Sequence, residues 1–156
     1  MFSTKIYSSW RETQRNKYTK IFDRVGTDFF SGLVLDIGAG LGYLQQFLKE
    51  KGFEADIITL DIEEPAQIIA DGGKLPFRDN SFDAVISIDA MHLIKGSDFK
   101  RVLKNGGLAL LALFFNINYV ERKNLLKEKL MGFEILAEFE LHGRENEYIM
   151  LARKSN

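Results

Sequence analysis

The stretch from Leu108 to Phe115, LALLALFF, contains no polar side chain. A strand with one wet face alternates polar and apolar residues, so an unbroken apolar run predicts a strand buried on both faces. Such strands belong to sheets covered by helices on both sides, and those sheets are mostly parallel. The rest of the chain fits that frame. Leu33 to Ile37, Ala55 to Leu60, Ile68 to Ala70 and Phe82 to Ile88 read as four further strands. Helices are predicted over 41–51, 98–104 and 119–131, closed by Gly52, by Asn105-Gly106-Gly107 and by Gly132. Phe133 to Leu141 and Tyr148 to Arg153 flank HGREN and predict an antiparallel hairpin. The expected fold is α/β: a mostly parallel seven-stranded sheet with helices on both faces, right-handed crossovers and a C-terminal antiparallel hairpin.

A length of 156 residues suits one domain, 1–156, which opens with an amphipathic helix within residues 1–26. Tyr7, Trp10, Tyr18, Ile21 and Val25 share one face of that helix, Gln14 interrupts the stripe, and Gly26 stops it. The segment is basic, with Lys5, Arg11, Arg15, Lys17, Lys20 and Arg24 against Glu12 and Asp23, and reads first as a solvated helix face. The whole chain has a net charge of −1, so no global charge points to nucleic acid or a membrane. There is no cysteine, which excludes disulfides, thiolate zinc and a cysteine nucleophile, and two histidines are too few for a histidine-rich metal site. No metal is expected. The sequence shows neither a spanning apolar run nor a signal-peptide pattern, and a cytoplasmic setting is the expectation.

Ligands of open α/β sheets sit beyond the carboxyl ends of the strands, so functional residues should follow strands. Asp36, Asp61, Asp71 and Asp89 all do. The first strand also runs into a glycine-rich turn, VLDIGAGLGYL, with Gly38, Gly40 and Gly42. Glycine tolerates positive φ and leaves room for a ligand, and the following helix presents free amides. A dinucleotide loop needs a further glycine where Tyr43 stands, and a phosphate-binding Gly-Lys-Ser/Thr triplet is absent. Asp36 before the loop would repel a pyrophosphate and suits an amine or a cation. Asp61, in LDIEEP, can accept two vicinal ribose hydroxyls, which indicates a nucleoside without choosing among nucleosides. Asp71, in ADGGKLPF, can accept from an exocyclic amine, with Gly72 and Gly73 admitting a base; its bland reading is an Asp-Gly turn.

Taken together, VLDIGAGLGYL, LDIEEP, ADGGKLPFRDNSFDAVISIDAMHLI and RVLKNGGLALLALF resemble the Rossmann-like, class I S-adenosylmethionine-dependent methyltransferases, most closely the small-molecule branch with an LPF-x-D-x-SFD segment. The likeness spans roughly residues 30–115 in order. It implies S-adenosylmethionine as cofactor and a methyl acceptor that is a small molecule. It also implies that Asp36, Gly38, Ala39 and Gly40 face the aminocarboxypropyl group. Asp61 would take the ribose hydroxyls, Ile62 would flank the adenine, and Asp71 with Gly72 would meet the adenine amine. Ile88 and Asp89 would lie near the methyl group.

Methyl transfer from a sulfonium needs an oriented nucleophile and a dry site more than a covalent intermediate, so no nucleophilic enzyme residue is expected. His92 is the one candidate base, although a structural role suits it better. The chain departs from the family in two places. Glu63-Glu64-Pro65-Ala66 replaces the usual helix between the second and third strands, and there is no inserted cap. Tyr7, Trp10 and Gln14 are therefore candidates to cover the cofactor, an aromatic face being favourable to a sulfonium. An NPPY-type signature for methylating amino groups of DNA bases or glutamine is absent from SIDAM. Tyr119 and Lys123 match a Tyr-x-x-x-Lys dehydrogenase pair but read better as the start of an amphipathic helix. Two alternatives stand beside the leading reading: a non-catalytic cofactor- or partner-binding module, and an RNA or protein methyltransferase supported by the basic N-terminal stretch. The sequence does not specify the oligomeric state.

Overall fold

The computed structural model describes residues 4–116 and 119–156, with side chains described for 10–116 and 120–156. Helix α1 (Thr4–Val25) leads through a 3-10 turn at Asp28–Phe30 into strand β1 (Leu33–Ile37). Then come α2 (Tyr43–Glu50), β2 (Asp56–Asp61), β3 (Ile68–Ile69) and β4 (Phe82–Ile88). After a 3-10 turn at Met91–Leu93 follow α3 (Phe99–Val102), β5 (Leu103–Phe115), α4 (Tyr119–Lys129), β6 (Glu134–Leu141) and β7 (Asn146–Arg153).

The seven strands form one sheet in the order β3-β2-β1-β4-β5-β7-β6. The first five are parallel, with Leu35 opposite both Ile58 and Val85, and Val85 opposite Ala109. Strand β7 is antiparallel to both of its neighbours, β5 and β6. The order reverses at β1, between β2 and β4, and that is where a cleft opens at the carboxyl ends.

The apolar strands divide their side chains between two cores, as a period of two requires. Val34, Ala84, Ile86, Leu110 and Ala112 meet α1, α2 and the aromatic pair Phe29 and Phe30. Leu35, Val85, Ala109, Leu111 and Leu113 meet the other face, with Phe99 and Leu126 from α3 and α4. The all-apolar run of β5 is thus buried on both sides.

Three sequence expectations are corrected. The helix expected over 98–104 is a single turn, because Leu103 is fully buried opposite Phe82 and already belongs to β5. The Asn105-Gly106-Gly107 stretch therefore lies inside that strand, where Gly106 N donates to Lys154 O (2.8 Å) and Lys154 N to Gly107 O (2.9 Å). On α1, Trp10 is 49% exposed, whereas Gln14 and Lys17 are buried beside Tyr18, Ile21 and Phe22. The inward face is rotated towards polar residues, and the stripe holds from Tyr18 onward only. The helix between β2 and β3 is missing as expected among the described residues, and its place is an open groove of about 1030 Å³ bordered by Leu41, Phe53 and Pro65. No helix of the described residues is long and apolar enough to cross a membrane.

Candidate functional site

The glycine loop is built by close approaches. Gly38 N and Ala39 N both donate to Leu60 O (2.8 and 3.2 Å), bending the chain over the end of β2. Gly38 has φ +77°, and a Cβ there would lie 2.2 Å from the Cβ of Ala90. Gly40 also has positive φ (+57°), but a Cβ there would meet nothing within 4 Å. The first glycine is required by packing; the second faces open space.

Asp61 joins β2 to this loop. Its Oδ2 accepts from Gly40 N (2.8 Å) and its Oδ1 from Ile62 N (2.7 Å), which fixes the plane of the carboxylate at the rim of the cleft. That cleft, of about 270 Å³, is lined by Gly38, Asp61, Ile62, Asp71, Gly72 and Asp89, together with Leu93 and Ile94. Six of the ten cofactor candidates meet there. The other four do not: Ala39 and Gly40 border the larger groove beside α2, Ile88 packs against the core under α1 and α2, and Asp36 is buried.

Each acid has a different environment. Asp36 is 5% exposed and close to Tyr18 of α1; burial, reinforced by the Asp61 charge, pushes its carboxyl up to about 7. Asp71 Oδ1 accepts from Gly73 N (2.8 Å), so it does form the local Asp-Gly turn. The two glycines after it make room for protein: a Cβ on Gly72 would crowd Ile94 (2.9 Å) and Ile37 (3.0 Å), and one on Gly73 would lie 2.5 Å from Lys95 O.

Asp89 sits at the end of β4 with φ +63°, an unusual backbone state for a residue with a side chain. Its Oδ1 accepts from Phe114 N (2.8 Å) and its Oδ2 from Lys17 Nζ (2.6 Å). The Lys17 ammonium also lies 3.6 Å from both Glu145 and Glu147. Lys17 and Glu147 are buried. Burial, then the neighbouring Asp89 carboxylate, drives Glu147 far above the carboxylate range. Burial would raise Asp89 too, but its neighbours Glu147 and Lys17 and the amide of Phe114 outweigh it and hold Asp89 below its ordinary value. Glu147 is thus the member of the pair that holds a proton more readily, beside a lysine whose own value is raised because the carboxylates outweigh the burial that would lower it.

Lys17, Glu145 and Glu147 were invisible to sequence reasoning. A lysine in a basic helix reads as solvated, and the contact to Asp89 crosses 72 positions. A signal existed only in the Glu147 position: it precedes the buried run Tyr148 to Met150. His92 lies in the 3-10 turn after β4, edge-on to Phe114 (6.3 Å), and burial followed by the Arg122 charge lowers its value.

Four of the six basic residues of α1, Arg11, Arg15, Lys17 and Arg24, are engaged within the chain. Arg15 pairs with Glu50 at 2.7 Å and Arg11 with the same carboxylate at 3.3 Å. Arg24 stacks over Phe139 (4.1 Å), and Lys17 is committed as above. Arg11, Arg15, Lys20 and Arg24 are exposed, as a solvated helix face requires, and Lys17 is the one basic residue of the helix with a described side chain that turns inward. Tyr7 and Tyr119 lie outside the residues whose side chains are described, and Lys123 pairs with Glu140 at 2.8 Å.

Residues 35–111 match the family described as "Methyltransferase domain". Among curated proteins, the human mitochondrial arginine-hydroxylase NDUFAF5 is 34% identical over 83 residues, covering 46% of this chain and 24% of that protein. The chain thus spans about a quarter of the length of this relative. Among solved structures, a SAM-dependent methyltransferase from Aquifex aeolicus is similar in fold, with a TM-score of 0.63 and 18% identity over 84% of this chain and 88% of that one. The [4+2]-cyclase SpnF is equally similar in fold, with a TM-score of 0.63 and 16% identity over 80% of this chain and 74% of that one.

Proposed function

We propose, on the premise that residues 35–111 form a methyltransferase domain on the class I Rossmann-like fold, that the chain binds S-adenosylmethionine and passes its methyl group to a small-molecule acceptor. The observation that carries this reading is the Asp61 carboxylate, oriented by Gly40 N and Ile62 N at the rim of a cleft shared with Asp71 and Asp89. Its remaining lone pairs are free in number to accept two vicinal hydroxyls.

The residues present suit the group. Gly40 lacks a Cβ where open space lies above the loop, which suits close approach of an aminocarboxypropyl chain. Asp36, displaced to about 7 by burial, returns to its charged form most readily beside an ammonium, which the cofactor carries. Ile62, 70% exposed, and Leu93, 77% exposed, offer apolar surface for a base at the cleft's edge. When bound, the sulfonium supplies an electrophilic methyl group. The chain's own work is to hold, orient and dry that group. Asp89, bonded to Lys17, places a carboxylate at the cleft.

The roles of Asp36, Gly38, Ala39, Gly40, Asp61, Ile62, Asp71, Gly72, Ile88 and Asp89 in cofactor binding belong to this proposal, as does the treatment of residues 1–156 as one domain. So does a cytoplasmic setting, supported by the cysteine-free composition. A second reading has specific support. A relative is named for an activity other than methyl transfer, as an arginine-hydroxylase, which supports a chain of this family that does not move a methyl group.

Calorimetry with S-adenosylhomocysteine separates these readings. We expect saturable binding that Asp61→Ala weakens by at least about tenfold, the scale of losing charge-assisted hydrogen bonds. Absence of binding at millimolar ligand refutes the cofactor assignment. Binding with no methylated product across a broad acceptor panel favours the non-catalytic reading.

A further inference from the structure

A second cavity, of about 240 Å³, lies between α1 and the turn that joins β6 to β7. Lys17, Glu145 and Glu147 form part of its wall, and the exposed Glu12, Lys20 and Arg144 line it as well. Asp89 connects the two spaces. It lines the cleft at the carboxyl ends of the strands, and its Oδ2 accepts from Lys17, which lines the second cavity.

Oxygens of Asp89, Glu145 and Glu147 lie within 4.8 Å of one another. Lys17 stands among the three, so a single ammonium faces three carboxyl groups. Glu147 is only 1% exposed. Neither of its oxygens has a hydrogen-bond partner among the described residues. A carboxyl group held away from water in this state needs N–H or O–H donors.

The chemistry of a suitable occupant follows. An anion would set like charge against Glu145 and Asp89, whereas a cation returns the buried carboxyl of Glu147 to its charged form. A hydroxyl brings one donor, whereas an ammonium or guanidinium brings several together with the opposite charge. A polybasic chain would meet Lys20 and Arg144, so the occupant is small and carries one basic nitrogen centre.

We infer that this cavity is the acceptor site, and that the acceptor is a small molecule presenting a primary amine or a guanidine to Glu147 and Glu145. The designation as acceptor site rests on the methyl-transfer reading above. In transfer the nitrogen lone pair would form the N–CH3 bond as the S–CH3 bond breaks and S-adenosylhomocysteine leaves; the displaced nitrogen proton would pass to solvent past the exposed Glu12, Lys20 and Arg144, since both oxygens of Asp89 already accept from Lys17 and Phe114 N.

The test uses the full chain, titrated calorimetrically with methylguanidine, butylamine and propionate, with and without saturating S-adenosylhomocysteine. Saturable binding of either cationic probe, no binding of propionate, and at least about a tenfold loss in Glu147→Gln are expected. Tighter binding of methylguanidine identifies a planar, two-oxygen contact; tighter binding of butylamine identifies an ammonium seat. A cooperative melting transition shows that the variant is folded, and if it is not, the more exposed Glu145→Gln carries the same comparison. Equal binding of propionate, unchanged affinity in the folded variants, or calcium titrated alone occupying the site and blocking the probes overturns the inference. If S-adenosylhomocysteine does not bind while the cationic probes bind and respond to Glu147→Gln, the methyl-transfer reading fails and the nitrogen-cation site stands. If S-adenosylhomocysteine binds and the probes do not, the site fails alone.

Discussion

Asp36 is held at the end of β1 in a form that suits a ligand better than it suits the fold, and Asp36→Asn exposes the difference. Burial and the Asp61 charge displace its carboxyl from 3.8 to about 7. A folded-state value above the unfolded one means the stabilising contribution is complete below 3.8 and is lost as pH rises through about 7. At roughly 1.4 kcal/mol per pH unit, the wild-type chain forfeits about 4 kcal/mol at most between those limits. Asparagine keeps the shape and does not titrate, but it brings two amide donors into a buried place at a cost of about 1–2 kcal/mol. The variant should therefore be less stable than wild type near pH 4.5 and more stable by about 2 kcal/mol near pH 7.5. Urea unfolding of both proteins across that range measures it, and other titrating groups largely cancel in the difference between them. A difference that stays flat with pH refutes the account of Asp36 as a buried, proton-holding carboxyl. Cofactor affinity should move the opposite way. If an ammonium is the partner that restores the charge, the more stable variant binds S-adenosylhomocysteine at least about tenfold more weakly.

Lys17→Met leaves Asp89 and Glu147 without their cation. Because one of the pair is already protonated, the loss should fall at the lower end for broken buried pairs, about 2–3 kcal/mol in denaturant unfolding. A loss below about 0.5 kcal/mol would mean that the ammonium contributes no net stability. Adding Glu147→Gln to that variant should recover part of the loss, since it removes the carboxyl that Lys17 offsets; additive effects would show that the two residues are not coupled. The same glycine-to-alanine change should act differently at two points of one loop. Gly38→Ala collides with Ala90 and should destabilise by about 2 kcal/mol or more, whereas Gly40→Ala meets open space, costs about 1 kcal/mol of backbone strain and chiefly weakens cofactor binding. Melting and calorimetry on the two variants separate these effects, and equal melting temperatures would contradict the packing argument.

What the sequence made legible was local. An apolar run, the acid that ends it and the glycines that follow are neighbours along the chain, so strands β1, β2 and β4 and the turn after β1 could be placed within a residue or so. The missing helix between β2 and β3 was legible for the same reason: too few residues separate Asp61 from Ile68 to make one. Pairings across the fold were not legible. Lys17 belongs to a basic segment whose pattern suits a wet surface, and only the docking of α1 over the ends of β4 and β7 turns that lysine inward. Tyr18, Ile21 and Phe22 anchor the helix on the sheet, at roughly 1.5–3 kcal/mol for each side chain buried, and Lys17 is carried into the interior on the same turn. The helix expected over 98–104 failed for a related reason, since the burial of Leu103 opposite Phe82 outweighs the local preference of one more turn.

The four acids that follow strands show how far position can stand for role. All four were placed by one rule, that ligands gather beyond the carboxyl ends of a parallel sheet. Asp36 is buried and retains a proton near neutrality; Asp61 is bonded to two backbone amides; Asp71 folds its own turn; Asp89 is paired with a lysine from the far end of the chain. The alternation of strand and helix brings the carboxylates together, but neighbours distant in sequence decide which remains charged. A ligand at the cleft would meet the fixed charge of Asp61 on one side and the lysine-buffered Asp89 on the other. Those two sites differ in one testable respect. Asp61 is held by backbone alone and should bind its partner with little dependence on α1, whereas whatever Asp89 contacts should respond to every change at Lys17.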